Sequence, residues 1–349
     1  MLRKRRLGRT GILVSELGFG GIPIQRISEN RAVKLVTRSI DMGINFIDTA
    51  RNYTDSEKKI GKAIKNRRDE VHICTKTHAH DPKGLRSDLE TSISNLGVST
   101  IDLYYLHGVN TYDDLKRAIS PENLDFLKSM KDEDRIRFLG VSSHREEVML
   151  KAIETEFFDA VMFPFNYIVT DAKRKIIPLC QKKNIGFVCM KPFAGGTLDN
   201  PRDTLRYVLR YPISTAIPGI ALIRELEQNI SALKQGEYVT DKEVEKLEAI
   251  GEDIGRRFCR GCGYCSPCLQ GVEITRLMRI QSFIRRTGLK RREDRMLRAI
   301  KSLEGCIECK ECEEKCPYNL PIGEMMNEQV EWLIGEFPHL ETLEQIQRT

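Results

Sequence analysis

Residues 259–268 read CRGCGYCSPC, which sets Cys259, Cys262, Cys265 and Cys268 at three-residue intervals. Residues 306–317 read CIECKECEEKCP, with Cys306, Cys309, Cys312 and Cys316 ahead of Pro317. Thiols so closely spaced can close disulfides, bind zinc or hold iron and sulfide. Zinc favours paired C-x2-C units with a spacer and four ligands per site, which eight cysteines in two ladders fit less well. Three cysteines two residues apart can instead wrap one iron–sulfide cube while a partner segment supplies the fourth corner. A second chemical set lies in the front of the chain. Asp48, Tyr53, Lys76 and His107 each stand at or just beyond the end of a short apolar run. A Lys beside an Asp stays charged because the two compensate each other. A Tyr near that Lys would have its phenol pKa pulled below the free value of about 10 and become a usable proton donor near neutral pH. His107 would hydrogen-bond a substrate oxygen and orient it. Together the four could protonate an oxygen while hydride arrives at its carbon, which is carbonyl reduction or, in reverse, alcohol oxidation.

Those side chains are only as useful as the elements that position them. From residue 17 to about 235, short apolar runs alternate with amphipathic stretches of helical period. The runs fall at 17–21, 44–48, 71–76, 101–107, 136–142, 158–163, 185–191 and 213–218. Helices are expected near 29–42, 55–65, 83–96, 121–132, 145–154, 171–183, 201–210 and 224–235. Ser28, Thr54, Ser120, Thr170 and Asn200 are the expected capping residues. Eight strand–helix units argue for parallel strands with helical crossovers, and an eight-stranded (β/α)8 barrel fits the count. An open doubly wound sheet is the alternative. It would normally carry a glycine-rich dinucleotide fingerprint, and GFGGIP at 18–23 is not G-x-G-x-x-G. In a barrel, chemistry sits where strands end at the C-terminal face, which is where the four polar residues fall. A helix near 240–254 follows, and then the periodicity breaks. The expected division is a barrel over 1–255 and a smaller, mainly helical domain over 256–349.

A chain of 349 residues can bury a large core and hold two domains. Hydrophobic residues at 40% and charged ones at 30% describe an ordinary soluble protein. The formal charge of +6 is mild and does not imply nucleic acid. The basic start, MLRKRRLGRTGILVSELGFGG, lacks the continuous apolar stretch of a signal peptide. No run of roughly 18 apolar residues is present to span a membrane. The expected location is the cytoplasm, where thiols are reduced, and this weakens the disulfide reading. Cys74, Cys180 and Cys189 lie in apolar or helical segments and read as buried structural thiols.

Over roughly residues 4–235 the chain resembles the aldo-keto reductase family. The matching stretches are LGRTGILVSELGFGG, GINFIDTARNYTDSEKKIGKAI, TK at 75–76, DLYYLHG, FLGVSS, FNYI, MKPFAGG and AIPGIALIRELEQNI. The resemblance implies a (β/α)8 barrel that binds a nicotinamide cofactor without a Rossmann motif. It places the family's catalytic tetrad on Asp48, Tyr53, Lys76 and His107. Tyr53 would be the general acid, Lys76 the modifier of its pKa, Asp48 the partner of Lys76, and His107 the group that orients the carbonyl. The implied cofactor positions are Ser142, Ser143, Met162, Met190, Gly219, Arg224, Gln228 and Asn229. Several depart from the family pattern. Ser143 stands where Asn is usual, Met162 where Gln is usual, and Met190 where an aromatic residue commonly stacks on the nicotinamide. A thioether can still lie against a ring. Members that hold the 2′-phosphate tightly have Lys, Ser and Arg where this chain has Gly219, Ile220 and Glu225, with Arg224 one residue out of register. Glu225 would oppose a phosphate, so NADP(H) and NAD(H) both stand as expectations.

The second ladder, C-x2-C-x2-C-x3-C-P, has the spacing of two-cluster bacterial ferredoxins, whose fourth cysteine ligates the other cluster. The first ladder ends with x2, and Leu269 replaces the usual proline. The crossed assignment gives one [4Fe–4S] cluster to Cys259, Cys262, Cys265 and Cys316, and the other to Cys306, Cys309, Cys312 and Cys268. A branch of the aldo-keto reductases carries such a C-terminal ferredoxin-like domain, and this chain is similar to that branch. Clusters move single electrons, whereas the barrel would move hydride, two electrons at once. No flavin motif is visible to split that pair, although a bound flavin is compatible with the sequence. The stretch 276–301 carries ten Lys or Arg against two acids. It could dock an acidic redox protein or form a solvated helix face, and no recognition motif for nucleic acid accompanies it. The expected function is a nicotinamide-dependent oxidoreductase for a small carbonyl or alcohol, with the loop 108–120 lining the substrate entrance. The alternatives are a redox-sensing interaction module and a flavin-assisted electron-transfer protein.

Overall fold

The computed structural model describes residues 2–339 apart from 235, 237 and 290–292. The final ten residues and part of the basic stretch 276–301 therefore lie outside the described residues. The chain divides into two compact units, Met1–Ala194 with Leu198–Leu247, and Gly195–Thr197 with Glu248–Thr349.

The first unit opens with an antiparallel hairpin, β1 (Lys4–Arg6) and β2 (Leu13–Ser15). Eight parallel strands follow: β3 (Phe19–Gly20), β4 (Phe46–Asp48), β5 (His72–Thr77), β6 (Ile101–Leu106), β7 (Ile136–Ser142), β8 (Ala160–Pro164), β9 (Gly186–Met190) and β10 (Thr215–Ile217). They pair in chain order, and bridges from Leu17 to Ala216 and from Gly20 to Gly219 close the sheet into a barrel. Each expected apolar run has become a strand. Phe46, Cys74, Leu103, Tyr105, Ala160, Met162, Val188 and Ile217 fill the interior. Ile47, Ile73, Tyr104 and Val161, one residue out of phase, are equally buried on the outer face. Burial on both faces is why these strands read as continuous apolar runs rather than alternating ones. Gly140 makes room for the largest interior side chain: a Cβ there would lie 2.5 Å from the Tyr105 ring.

The hairpin was not expected from the sequence. It closes the end of the barrel where strands begin, since Leu7 and Val14 join the interior cluster and Arg9 N donates to Asn184 O at 2.6 Å, just before β9. The helix expected over 171–183 is two helices, Asp171–Arg174 and Ile176–Lys182. Lys175 leaves helical dihedrals at φ −130°, and Pro178 has no N–H to offer the carbonyl one turn back. The segment 108–120 contains a helix, Tyr112–Ala118, started by a capping box between Thr111 and Asp114. Of the expected caps, Ser120 and Asn200 accept backbone N–H bonds. Ser28 and Thr170 make no such bond, and Asp55 rather than Thr54 precedes the helix Ser56–Ile64.

The second unit is mainly helical. Among the described residues from 274 onward its helices are Ile274–Leu277, Ile280–Thr287, Glu293–Leu303, Glu311–Glu314 and Ile322–Glu336. Its core holds Leu277, Ile280, Met296, Ile300, Met326 and Leu333, with Cys316 among the buried members and Trp332 packed against it. The apolar faces of the helices 280–287 and 293–303 point into this core, which leaves their arginines at the rim. No described helix is long and apolar enough to cross a membrane.

Candidate active site and cysteine quartets

Asp48 ends β4, Lys76 lies one residue from the end of β5, and His107 follows β6 directly. Parallel neighbouring strands therefore bring three polar side chains to one rim. The Lys76 ammonium is 1% exposed and donates to Asp48 Oδ2 at 2.7 Å and to the Thr49 carbonyl at 2.7 Å. Tyr53 sits in the turn after β4, held by its N–H on Ala50 O at 3.0 Å. Its ring centroid is 5.1 Å from Lys76 Nζ and 6.1 Å from the His107 ring, which it meets edge-on. The structure thus brings all four expected residues together. Behind them the buried Glu57 accepts from Thr75 Oγ1 at 2.8 Å and from Asn95 at 3.0 Å, and pairs with Arg51.

The charges of this group are mutually set. Burial alone would lower the Lys76 pKa, but the Asp48 carboxylate, the Tyr53 oxygen and the hydrogen bond raise it, so the ammonium is retained. Burial raises Asp48 above the ordinary carboxylate range, and Lys76 pulls it back. His107 is pushed well below the usual 6.5 by burial, and the Lys76 charge and His78 act the same way. It is therefore neutral at physiological pH, with one N–H to donate. The His78 ring stacks on it, 4.1 Å between centroids. Sequence reading missed His78, although its signal was present: TKTHAH puts His78 two residues after Lys76, on the same side of the strand. It also missed the pair His144–Lys191, 2.8 Å apart, beyond the ends of β7 and β9.

His78 and His80 are also lowered, mainly by burial. Such histidines bind protons more readily in the unfolded chain. Stability is then complete above the unfolded value of 6.5 and is lost as pH falls below it, levelling off under the folded value. The thermal midpoint is expected to drop between about pH 7 and about pH 5, and His107→Asn to flatten that slope. Circular dichroism melts across this range check it.

The expected cofactor positions are spread around the mouth. Ser142 Oγ accepts from Gly108 N at 2.9 Å and keeps its own hydrogen to donate. Ser143 Oγ bonds Asn110 Oδ1 at 3.3 Å. Met162 packs in the barrel interior, and Met190 lies half-buried against the same cluster. Gly219 follows β10, Arg224 and Gln228 are exposed on the helix Ile223–Lys234, and Asn229 is buried. Among the described residues, Asp48 Oδ1 and His107 Nδ1 are buried polar atoms without protein partners. With the serine hydroxyls they fit the amide and carbonyl chemistry of a nicotinamide and its substrate. A phosphate fits less well beyond β10. There Glu225 Oε2 already accepts from Ala221 N at 2.7 Å and Leu222 N at 3.1 Å.

In the second unit the ladders cross. A cavity of about 520 Å³ is lined by Cys265 and Cys268 from the first ladder and by Cys306, Cys309 and Cys312 from the second, so Cys265 borders both cavities. A smaller cavity is lined by Cys259, Cys262, Cys265 and Cys316. All eleven cysteines are free thiols. Left-handed residues, Gly261 and Gly263 in one ladder and Glu308 and Lys310 in the other, curl each around its cavity. Four thiols about a common space, contributed three and one by two segments, fit an iron–sulfur cluster better than a single ion. Among the described residues no group has the spacing to hold one metal ion.

A closed parallel barrel with a Lys–Asp pair, a tyrosine and a neutral histidine at its C-terminal mouth defines a barrel oxidoreductase. The profile of the aldo/keto reductase family matches residues 16–204, and the chain belongs to that family. A 4Fe-4S dicluster domain matches residues 258–321. Curated relatives include an uncharacterized oxidoreductase of Bacillus subtilis, 25% identical over 71% of this chain and 96% of its own length. A probable aldo-keto reductase of Glycine max is 26% identical over 75% of this chain and 93% of its own. Among solved structures, the holo form of an aldo-keto reductase from Bacillus halodurans superposes with a TM-score of 0.65 at 24% identity, over 71% of this chain and 96% of its own. An aldo-keto reductase of Klebsiella pneumoniae in complex with NADP and acetate gives 0.61 at 22%, over 71% and 95%.

Proposed function

We propose that this chain is a nicotinamide-dependent reductase of an aldehyde or ketone or, in reverse, a dehydrogenase of the matching alcohol. A bound nicotinamide supplies or accepts the hydride. Tyr53 gives its phenolic proton to the substrate oxygen, the Lys76 ammonium stabilises the phenolate left behind, and Asp48 holds Lys76 charged and in place. His107, being neutral, donates its N–H to the same oxygen and orients it. The observation that supports this reading is the Lys76 ammonium, 2.7 Å from Asp48 and 5.1 Å from the Tyr53 ring centroid at one rim. A screen of aldehydes, quinones and sugars with NADH and NADPH, following absorbance of the reduced nicotinamide, tests it. No turnover of any of them would favour a binding module instead.

Either nicotinamide cofactor is compatible with the mouth, held by Ser142, Ser143, Met162, Met190, Gly219, Arg224, Gln228 and Asn229. Glu225 turns its charge toward the backbone donors at residues 221 and 222. Fluorescence titration is therefore expected to show NADPH bound no more than about 100-fold more tightly than NADH. A larger NADPH preference would mean that Glu225 swings away on binding. In the second unit, Cys259, Cys262, Cys265 and Cys316 would hold one [4Fe–4S] cluster and Cys268, Cys306, Cys309 and Cys312 another. The clusters would supply one-electron transfer. Anaerobic reconstitution with iron and sulfide assays tests the count. Thiols kept reduced to hold clusters fit the cytoplasm, which is the location this reading proposes.

A further inference from the structure

The two cysteine quartets stand in opposite electrostatic settings. The inner quartet is Cys259, Cys262, Cys265 and Cys316. Cys316 is 7% exposed and belongs to the apolar core. Arg279 lies directly on the turn between Cys259 and Cys262: a Cβ on Gly261 would meet its Nη1 at 2.4 Å and its Cζ at 2.8 Å. The outer quartet is Cys268, Cys306, Cys309 and Cys312. Cys309 is exposed, as are the neighbouring Leu269 at 80% and Ile307 at 64%. Its cavity is lined by Glu308, Glu311, Glu313 and Glu324 against Lys310 and Lys315. Lys315 is tied to Glu311 at 3.0 Å. Between residues 303 and 339 nine glutamates face two lysines and no arginine.

Reduction adds one negative charge to a cluster, so its potential follows the local charge and exposure. A nearby cation raises it. Surrounding carboxylates lower it. We propose that the second unit is a polarised pair, in which Arg279 makes the inner quartet the easier to reduce and the acid-rimmed outer quartet is where electrons enter. A one-electron donor protein would be oxidised at the outer face. The outer cluster would then lose that electron to the inner one, with no bond or proton moved. The inference rests on the two-cluster reading above.

Its test is a redox titration of the reconstituted full chain, followed by electron paramagnetic resonance under anaerobic conditions. Cys309→Ser, which alters one signal, marks the outer cluster. The wild-type chain is expected to show two midpoints, with the inner higher. Arg279→Gln should lower the inner midpoint by about tenfold in the reduction equilibrium, about 59 mV for one electron, and Arg279→Lys should restore most of it. Glu308→Gln with Glu311→Gln, on the exposed rim, should raise the outer midpoint by less, since solvent screens those charges. Two coincident midpoints, or an Arg279→Gln variant that moves the outer signal or neither, would overturn the polarised pair. A reconstituted chain without iron and sulfide would overturn the cluster reading itself.

Discussion

Tyr53→Phe is expected to lower kcat for carbonyl reduction by about 10²- to 10⁴-fold, the usual contribution of a positioned general acid. The substitution removes one hydroxyl from a half-buried ring and leaves its contacts with Lys76 and His107. Cofactor affinity, read by fluorescence quenching, should stay within a few-fold. The thermal midpoint should change little, because the phenol oxygen lies at the mouth. The loss should appear in kcat and in kcat/KM alike, the mark of an interaction made in the transition state. Single-turnover mixing of enzyme, reduced cofactor and an aldehyde separates the chemical step from product release. If the chemical step in the phenylalanine variant keeps the wild-type rate, another group donates the proton.

Lys76→Met should cost more than activity. Lys76 and Asp48 are both buried at 2.7 Å, and removing one leaves the other charge without its partner in a poorly solvated rim. Breaking such a pair typically costs about 3–5 kcal/mol. Asp48, already raised by burial, would then take up a proton nearer neutral pH. The expected results are a lower denaturation midpoint and a loss of reduction comparable to that of Tyr53→Phe. The double variant Lys76→Met with Asp48→Leu separates the two effects. Removing both charges should recover most of the stability, since two apolar groups of similar volume can replace a buried ion pair. Activity should not return, because no ammonium remains to stabilise the phenolate. A double variant as active as the wild-type chain would leave the ion pair with a structural role alone. Urea denaturation and the aldehyde assay on the same preparations distinguish these outcomes.

The barrel was legible because a strand buried on both faces is mainly apolar. INFID, VHICTK, IDLYYLH and their fellows carry that constraint, with polar residues at the few positions that face the site or an ion pair. The N-terminal hairpin was not legible. Its strands, KRR and LVS, are three residues long and mixed in character, and only the barrel floor beneath Leu7 and Val14 makes them pair. The break at Lys175 was likewise hidden inside an amphipathic pattern that continues across it. Caps behaved unevenly for a related reason. Ser28 and Ser120 both precede helices, yet only Ser120 finds an N–H in reach.

Of the site, the sequence by itself determined the chemical inventory. It placed a carboxylate, an ammonium and an imidazole at the ends of three consecutive strands, and it set eight thiols in two ladders. Parallel pairing with a fixed register turns such strand-end positions into neighbours, so their meeting was foreseeable. Tertiary structure alone decided what those groups face. The stacking of His78 on His107, the turning of Glu225 onto the amides of Ala221 and Leu222, and the lodging of Arg279 against Gly261 depend on the angles at which loops return. No local spacing encodes those angles. They are set by which surfaces pack when the core closes, and that is a property of the whole chain.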